Sequence, residues 1–205
     1  AEGASGSSAG SASATAAGLV GFSIGTETLG SITSPSQRCG TTGLRPTFGR
    51  VSRSGAMALC WSLDKIGPIC RTVEDTVLVL SAINGFDSDD KGSIDASFNY
   101  DASSSIEGLR VGYIPASFED EGSTDVDRDA LDAMRQLNVE LVEVSLPELP
   151  YMSLKNVVNA EAAAAFEELT LNNRDDELVW QAKGAWPNRF RKARFLSAVD
   201  HIQLD

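Results

Sequence analysis

The clearest periodic pattern in the chain is the segment TVEDTVLVLSAIN, residues 72–84. Its apolar side chains recur at the three- and four-residue spacing of one helix face. They are Val73, Val77, Leu80 and Ile83. Thr72, with Asp75 three residues later, is typical of a helix N-cap, and Gly85 is typical of a helix end. The pattern predicts a helix over residues 72–84 with one apolar stripe.

The second half of the chain alternates between strand-like and helix-like patterns. Strands are predicted for LRVGYIP at 109–115 and VELVEVSLP at 139–147, with an amphipathic helix between them at 125–137. A strand–helix–strand unit of this kind favours parallel pairing and a right-handed connection. Further helices are predicted at 154–170 and within 187–205.

The first half of the chain is rich in small residues and turns. SASATAAGLV at 11–20 predicts a helix thin enough to lie close to a sheet, and GLVGFSIG at 18–25 predicts a short buried strand. Residues 39–55 have the pattern of strands and turns, whereas residues 87–107 are polar and predict a surface loop.

The amino-acid composition limits the classes of molecule that the protein is expected to bind directly. The 205 residues are 42% hydrophobic and 22% charged, which is ordinary for a globular protein. A net charge of -12 argues against a surface that binds nucleic acid directly. No apolar run reaches the roughly 18–20 residues of a membrane span, and no signal peptide is visible. We therefore expect neither nucleic acid nor a membrane as a direct partner.

The three cysteines, Cys39, Cys60 and Cys70, form no CxxC pair and have no neighbouring histidine. An odd number without a disulfide framework favours buried free thiols in a reducing compartment, so we predict a cytoplasmic protein. A zinc site would lack its fourth ligand at this spacing. No metal and no cofactor are predicted.

A short serine motif near the start of the chain matches the pattern of a nucleophile elbow but lacks the strand that such an elbow needs. Residues 6–10, GSSAG, match the G-x-S-x-G pattern of a nucleophile elbow, and His201 follows in the right chain order. That elbow needs a strand running into the serine, and the preceding AEGAS is not strand-like. We therefore interpret His201 as a satisfied surface or core histidine. Since the chain opens on AEGASGSS without a methionine, we also interpret it as an internal fragment.

Two serine-rich stretches carry a more specific signal: GSSAGSASATAAG at 6–18 and GTETLGSI at 25–32. Together they resemble the amidase signature family, which consists of serine hydrolases that act on amides. The likeness continues through CGTTGLRPTFGRVSRSGAM, SLDKIGP and RTVED, and so spans residues 3–86. It is weaker in GLRVGYIP, VEVSLP and AEAAAAFEEL.

The resemblance implies an α/β fold with a mixed, largely parallel twisted sheet flanked by helices. We expect a single partial domain. Its signature core, with both serine stretches, would cover residues 1–86, followed by the polar loop at 87–107. A βαβ unit and peripheral helices would cover residues 108–205.

The resemblance also assigns roles to individual residues. Ser31 corresponds to the family's nucleophile, and Ser7, which lies 24 positions earlier, corresponds to a bridging serine that takes its proton. The base in this family is a lysine well upstream of the first serine stretch, hence upstream of this chain. The family's bridging serine follows a cis peptide bond, which here would be Gly6–Ser7.

Backbone N–H groups would hold the oxyanion of the tetrahedral intermediate. By resemblance these belong to Thr28, Leu29, Gly30 and Ser31. Glu27 and Ser8 are expected to support the site, and we interpret Ser8 and Ser11 as helix-capping residues.

The sequence departs from the family pattern at several places near the nucleophile. Leu29 stands where a glycine is usual, and because leucine is strained at positive φ, we predict a negative φ there. Glu27 replaces an aspartate and is expected to keep its hydrogen-bonding role. Thr33 replaces an arginine, which weakens an interpretation as a glutaminase-type subunit. Lys65 is the obvious substitute for the upstream lysine, but the family uses its segment structurally, so we interpret it as structural.

The sequence therefore predicts an amidohydrolase that cleaves a carboxamide C–N bond through an acyl-Ser31 intermediate. Its partner would be a small-molecule amide, and a homo-oligomer is compatible with this interpretation. Two alternatives stay open: an A subunit of a tRNA-dependent amidotransferase, and a catalytically silent scaffold member of the family. The fragment itself is expected to be inactive without the upstream lysine, and its sequence does not identify the amide.

Overall fold

The computed structural model describes residues 5–203, which fall into two compact units. The first comprises residues 5–99 and 151–203, and the second comprises residues 100–150. The helices and strands of the first unit are α1 (Ala9–Ala16), β1 (Ser23–Glu27), α2 (Thr33–Cys39), β2 (Thr42–Gly43), β3 (Lys65–Cys70) and α3 (Val73–Ile83). After residue 150 the same unit continues with helices, and the second unit contains the remaining strands. The predicted α/β class is confirmed.

The remaining helices and strands lie in the second unit and at the end of the first. The second unit contains β4 (Arg110–Tyr113), α4 (Ala116–Glu119), α5 (Asp125–Gln136) and β5 (Glu140–Glu143). The end of the first unit contains α6 (Leu154–Ala165), α7 (Glu167–Leu171), α8 (Trp186–Ala193) and α9 (Ala198–Gln203), with 3-10 turns at Tyr151–Ser153 and Arg174–Glu177.

The first unit is built on a three-stranded antiparallel sheet in the order β1-β3-β2. β1 lies along β3 with Glu27 opposite Lys65, and β2 lies along the other edge of β3 with Thr42 opposite Cys70. The expectation of a largely parallel sheet is wrong for this unit. The chain returns to the sheet through the turn-rich segment 44–64, and parallel pairing would instead need a crossover helix.

The second unit is the strand–helix–strand unit predicted from the sequence. β4 and β5 pair in parallel, with Arg110 opposite Glu140. α5, which connects them, begins with a capping box in which Thr124 and Asp127 exchange hydrogen bonds between side chain and backbone. The prediction of parallel pairing is confirmed here.

α3 confirms the predicted helix and most of its apolar stripe. The Thr72 hydroxyl accepts a hydrogen bond from the backbone N–H of Asp75, as expected for an N-cap. Leu80 of the stripe is buried, Val77 and Ile83 are half-buried, and only Val73 is exposed. Thr76, outside the stripe, is also buried, and its hydroxyl donates to the carbonyl of Val73.

α1 is joined to the outer edge of β1 by serine hydroxyls. Ser8 accepts a hydrogen bond from the Thr26 N–H at 3.0 Å and donates one to the Thr26 carbonyl at 3.1 Å. Ser11 donates to the Ile24 carbonyl at 2.9 Å. The interpretation of these serines as caps is therefore wrong. Ser8 occupies the N-cap position, but its hydroxyl points to the neighbouring strand and makes no capping bond.

The strand β1 begins later than predicted and runs on to Glu27, and the apolar residues before it are exposed. Leu19 and Phe22 both lie at the surface, and the ladder begins only at Ser23. Gly25 within the strand explains how α1 approaches so closely. A side chain there would come within 3.0 Å of the Ser8 hydroxyl and of Ile32, which is fully buried in the core.

The three cysteines have free thiols, and Cys60 and Cys70 are buried as predicted. Burial, the largest influence, raises the pKa of the Cys60 thiol to about 11, which makes it a poor nucleophile.

Within residues 5–203 no helix combines the length and apolar character needed to cross a membrane. His201 lies in α9, and its backbone N–H donates to the Ser197 carbonyl.

Candidate active site

The two serine-rich stretches meet in the folded chain. Gly6 has a φ of +81°, and a side chain at this position would lie 3.1 Å from the Ser31 Cα and 3.1 Å from the Pro35 side chain. The hydroxyls of Ser5 and Ser34 hydrogen-bond across the same junction. The residue immediately before Ser7 is therefore in contact with the backbone of Ser31, which only glycine permits.

The expected cis bond is not present. The Gly6–Ser7 peptide bond is trans, as are the other peptide bonds of the described residues. The left-handed φ of Gly6 gives the chain its sharp turn before Ser7, so the approach to Ser31 is made without a cis bond.

The loop between β1 and α2 carries the candidate oxyanion donors. Among residues 5–203 no acceptor is bound to the backbone N–H groups of Thr28, Leu29 and Ser31. Leu29 has a negative φ, as predicted, and the left-handed position of the turn is taken by Gly30 at +81°. The leucine is therefore unstrained, and its half-exposed side chain points away from the core.

Glu27 fastens this loop to the start of α2. Its buried carboxylate accepts hydrogen bonds from the N–H groups of Ile32 at 2.8 Å and Thr33 at 2.9 Å. Burial alone would raise the pKa of Glu27, but the backbone N–H groups of Thr33, Ile32 and Gly30 stabilise the ionised form and lower it. Glu27 thus hydrogen-bonds to the loop, and the Gly30 N–H, expected to hold the oxyanion, is instead directed at this carboxylate.

Because the pKa of Glu27 is lowered, the direction in which its contribution to stability depends on pH is fixed. A carboxyl whose pKa is lower in the folded than in the unfolded chain stabilises the fold above its unfolded pKa of about 4.3. This contribution disappears as the pH falls through the folded pKa. The loop should therefore loosen under acidic conditions.

We expect Glu27→Leu to lower the free energy of unfolding by about 3 kcal/mol, because two buried N–H groups lose their acceptor. Glu27→Gln should cost only about 1 kcal/mol, because the amide oxygen still accepts. Urea unfolding of the complete protein measures both values. Glu168→Leu, at an exposed position of α7, is the control and should change stability by no more than about 0.5 kcal/mol. Equal losses for the two Glu27 variants would contradict the acceptor argument.

Asp64, just before β3, supports the same loop from the other side. Its Oδ1 accepts a hydrogen bond from the Thr28 hydroxyl at 2.5 Å. Its Oδ2 accepts from the N–H groups of Leu59 at 2.8 Å and Cys60 at 2.9 Å. The carboxylate therefore joins the loop of the nucleophile to the segment that precedes β3.

Lys65 lies opposite Glu27 in the ladder and is buried. Its ammonium donates to the carbonyl of Leu63 and, at 3.5 Å, to that of Thr28. Burial first, and the charge of Arg45 second, lower the pKa of Lys65. The lysine interpreted as structural therefore touches the loop that carries the oxyanion donors.

The buried Asp90 pairs with the half-buried Arg53 nearby. The guanidinium donates to both carboxylate oxygens, from Nη2 at 2.9 Å and from Nε at 3.0 Å. Asp90 also accepts from the backbone N–H groups of Arg53 and Gly92, and the guanidinium lies 4.4 Å above the ring of Phe48. The side-chain hydrogen bonds of Arg53 hold the pKa of Asp90 well below its usual range.

A cavity of about 520 Å³ opens next to Ser7. Its polar lining residues include Ser7, Thr26, Thr28, Asp64 and Lys65. Ser31, which is half-buried, is outside the lining. No cluster of histidine, cysteine and carboxylate side chains suited to a metal ion is found in residues 5–203.

Sequence reasoning missed Asp64 and the Arg53–Asp90 pair as supports of the site. Asp64 stands in the SLDKIGP segment that carries the resemblance, but its partner Thr28 is 36 positions away. Asp90 lies in the segment interpreted as a polar surface loop. A buried carboxylate in such a loop has no local sequence signal, because only its distant arginine makes burial acceptable.

Known proteins resemble this chain in both sequence and structure. The A subunit of glutamyl-tRNA(Gln) amidotransferase from Staphylococcus epidermidis (strain ATCC 12228 / FDA PCI 1200) is 44% identical over 168 residues, which is 78% of this chain and 34% of that relative. The structure of the A subunit of glutamyl-tRNA(Gln) amidotransferase from Thermotoga maritima has a TM-score of 0.73 at 30% identity, over 84% of this chain and 40% of that one. Peptide amidase from Stenotrophomonas maltophilia has a TM-score of 0.75 at 27% identity, over 97% and 46%.

The chain thus spans about a third of the length of the curated relative and less than half of each solved structure. The Amidase family itself matches residues 2–203. Because this match runs from before the first serine stretch to the last helix, the resemblance found in the sequence is confirmed, and the protein belongs to the amidase family.

Proposed function

We propose that the protein is an amidohydrolase that cleaves a carboxamide C–N bond with Ser31 as nucleophile and Ser7 as bridging serine. The observation that carries this proposal is the contact between the two serine stretches, in which Gly6 lies against the Ser31 backbone. Three backbone N–H groups without an acceptor among residues 5–203, those of Thr28, Leu29 and Ser31, support it further.

In the first half of the reaction, the Ser31 oxygen forms a bond to the amide carbonyl carbon. Its proton passes to Ser7, and Ser7 gives its own proton to a neutral lysine. The carbonyl oxygen becomes an oxyanion, held by the N–H groups of the loop. Collapse of the intermediate breaks the C–N bond, and the relay runs backwards to protonate the departing amine or ammonia.

In the second half, water attacks the acyl-Ser31 ester. The same relay removes a proton from the water, the bond between the carbonyl carbon and the Ser31 oxygen breaks, and Ser31 regains its proton. The products are a carboxylic acid and an amine or ammonia. This sequence consumes one water molecule and needs no cofactor.

By family resemblance, the base is a lysine in a segment that precedes Ser7. Lys65 is the alternative within this chain, but the contacts of its ammonium argue for a positioning role. It donates to the carbonyls of Leu63 and Thr28, and a lysine that must accept a proton has to be neutral.

A fluorophosphonate probe tests whether the complete protein is a serine hydrolase. We expect one labelled peptide, modified at Ser31, and loss of labelling in Ser31→Ala. Ser54→Ala is the matched control, because Ser54 is exposed and lines the cavity without belonging to the relay. Labelling at Ser8, or unchanged labelling in Ser31→Ala, would overturn the assignment. No labelling at all would favour the scaffold alternative.

A second candidate function is that of an amidotransferase A subunit, in which the ammonia released from an amide is passed to a partner. The 44% identity to the A subunit of a glutamyl-tRNA(Gln) amidotransferase favours it. Thr33, which stands in place of an arginine, weakens it. Hydrolysis of simple amides by the purified protein alone, without support of tRNA amidation, would decide for the amidase.

A further inference from the structure

The cavity beside Ser7 is lined in part by a wall of stacked aromatic side chains. Phe166 and Phe190 stack with ring centroids 5.2 Å apart and an interplanar angle of 20°. Trp186 stacks on Phe190 at 5.6 Å and 26°. Phe190 is only 3% exposed, so it holds the other two rings in place. Trp61 contributes a further ring to the lining.

Each of four charged side chains at the cavity already has a protein partner. Arg53 and Asp90 bind each other through two hydrogen bonds. Asp64 accepts three hydrogen bonds from the protein, and the Lys65 ammonium donates to two backbone carbonyls. Asp89, the fifth charged residue of the lining, is exposed to solvent. The charged groups of the described residues that line the interior of the cavity are therefore already engaged in hydrogen bonds within the protein.

These two observations favour one chemical class of ligand. A zwitterionic amino acid amide such as glutamine would bring an ammonium and a carboxylate against stacked rings, and it would have to compete with the protein partners of the charged groups in the described lining. A flat apolar group instead buries its faces against the rings and desolvates no charge. Specificity would then rest on shape and apolar area, as is common for small-molecule pockets.

We propose that this cavity binds an aromatic group attached to the scissile carboxamide, which makes the protein an amidase of uncharged aryl or arylalkyl amides. The inference rests on the proposed function, because Ser7 joins the cavity to the candidate catalytic relay. The aromatic group belongs to the acyl side in phenylacetamide and to the amine side in acetanilide, and the two compounds distinguish these arrangements.

The first measurement is kcat/KM of the complete protein for phenylacetamide, acetanilide, acetamide and L-glutamine. We expect one of the two aromatic amides to exceed acetamide by at least about 30-fold, as burial of a ring against apolar walls implies. A preference for L-glutamine, or no difference between the aromatic amides and acetamide, would overturn the inference.

Two tryptophan variants provide a matched comparison. Trp61 lines the cavity and is 50% exposed, whereas Trp180 is outside the lining and 65% exposed. Trp61→Ala should lower the ratio of aromatic amide to acetamide kcat/KM by about 10-fold, and Trp180→Ala should leave this ratio unchanged. The backbone carbonyl of Trp61, which accepts from Arg53, remains in the variant. Equal ratios in the two variants would contradict the assignment of the wall.

Binding of amides to the Ser31→Ala variant tests the assignment of the cavity separately from the proposed function. Calorimetry with phenylacetamide should give a Kd at least about 10-fold lower than with acetamide, and adding Trp61→Ala should remove the difference. If Ser31 fails to label yet the binding preference is found, the proposed function fails and the cavity assignment stands. If Ser31 labels and acetamide or L-glutamine binds as well as phenylacetamide, only the cavity assignment fails.

Discussion

Ser31→Ala is expected to lower kcat/KM for a carboxamide by about 10⁴-fold or more, because no other group can form the covalent intermediate. Steady-state hydrolysis by the complete protein, followed by release of ammonia, measures the loss. The loop is expected to keep its shape in the variant. Its geometry depends on Glu27 and Asp64, whose hydrogen bonds do not involve the Ser31 hydroxyl.

The neighbouring serines give the controls for this prediction. Ser7→Ala should lower kcat by about 10²- to 10⁴-fold, the usual contribution of a positioned proton-transfer group. Ser8→Ala should mainly lower the melting temperature, since the Ser8 hydroxyl is bound to the backbone of Thr26. A loss of activity in Ser8→Ala as large as in Ser31→Ala, at unchanged stability, would contradict the assigned roles.

Asp90→Ala is expected to lower the free energy of unfolding by about 3–5 kcal/mol. The substitution leaves the half-buried Arg53 guanidinium without its counter-charge and removes the acceptor of two backbone N–H groups. Chemical unfolding of the complete protein measures the change. Asp89→Ala, at the adjacent exposed position, is the matched control and should stay within about 0.5 kcal/mol.

A double substitution and a pH series test the origin of that loss. Arg53→Ala with Asp90→Ala should cost less than the sum of the single changes, because neither charge is then left alone. The Asp90 pKa is lowered in the folded chain, so its contribution is complete above the unfolded pKa of about 3.9. It should decline as the pH falls toward the folded pKa. Additive single changes would indicate that the pair is not coupled.

Local signals predicted the helix α3 and its Thr72 cap, and the structure has both. The capping box of α5 is equally local but was not predicted, and neither was α2. A capping bond closes over three residues, so its donor and acceptor are visible in one short segment. The parallel pairing of β4 and β5 was equally accessible, since a helix separates the two strands.

Contacts between distant residues could not be predicted in the same way. Ser62 donates to the Glu161 carboxylate from its backbone N–H at 3.0 Å, and the two residues are 99 positions apart. The direction of β3 and the burial of Lys65 likewise depend on how the segment before it folds back. The family resemblance supplied the roles of Ser7 and Ser31, but it also supplied a cis bond that this chain replaces by a left-handed glycine.

The serine hydroxyls along β1 have a consequence for association between molecules. A hydroxyl can hydrogen-bond to the peptide groups of a strand. Unlike a neighbouring strand, however, it presents no further row of backbone N–H and C=O groups with which another strand could pair. Among the described residues, the β1 edge of the sheet is thereby covered by α1, whereas β2 forms the other edge. Ser8 makes this contact and directly follows Ser7, the candidate bridging serine. A change that removes the Ser8 hydrogen bonds is therefore expected to favour association through β1 and to disturb the candidate relay at the same time.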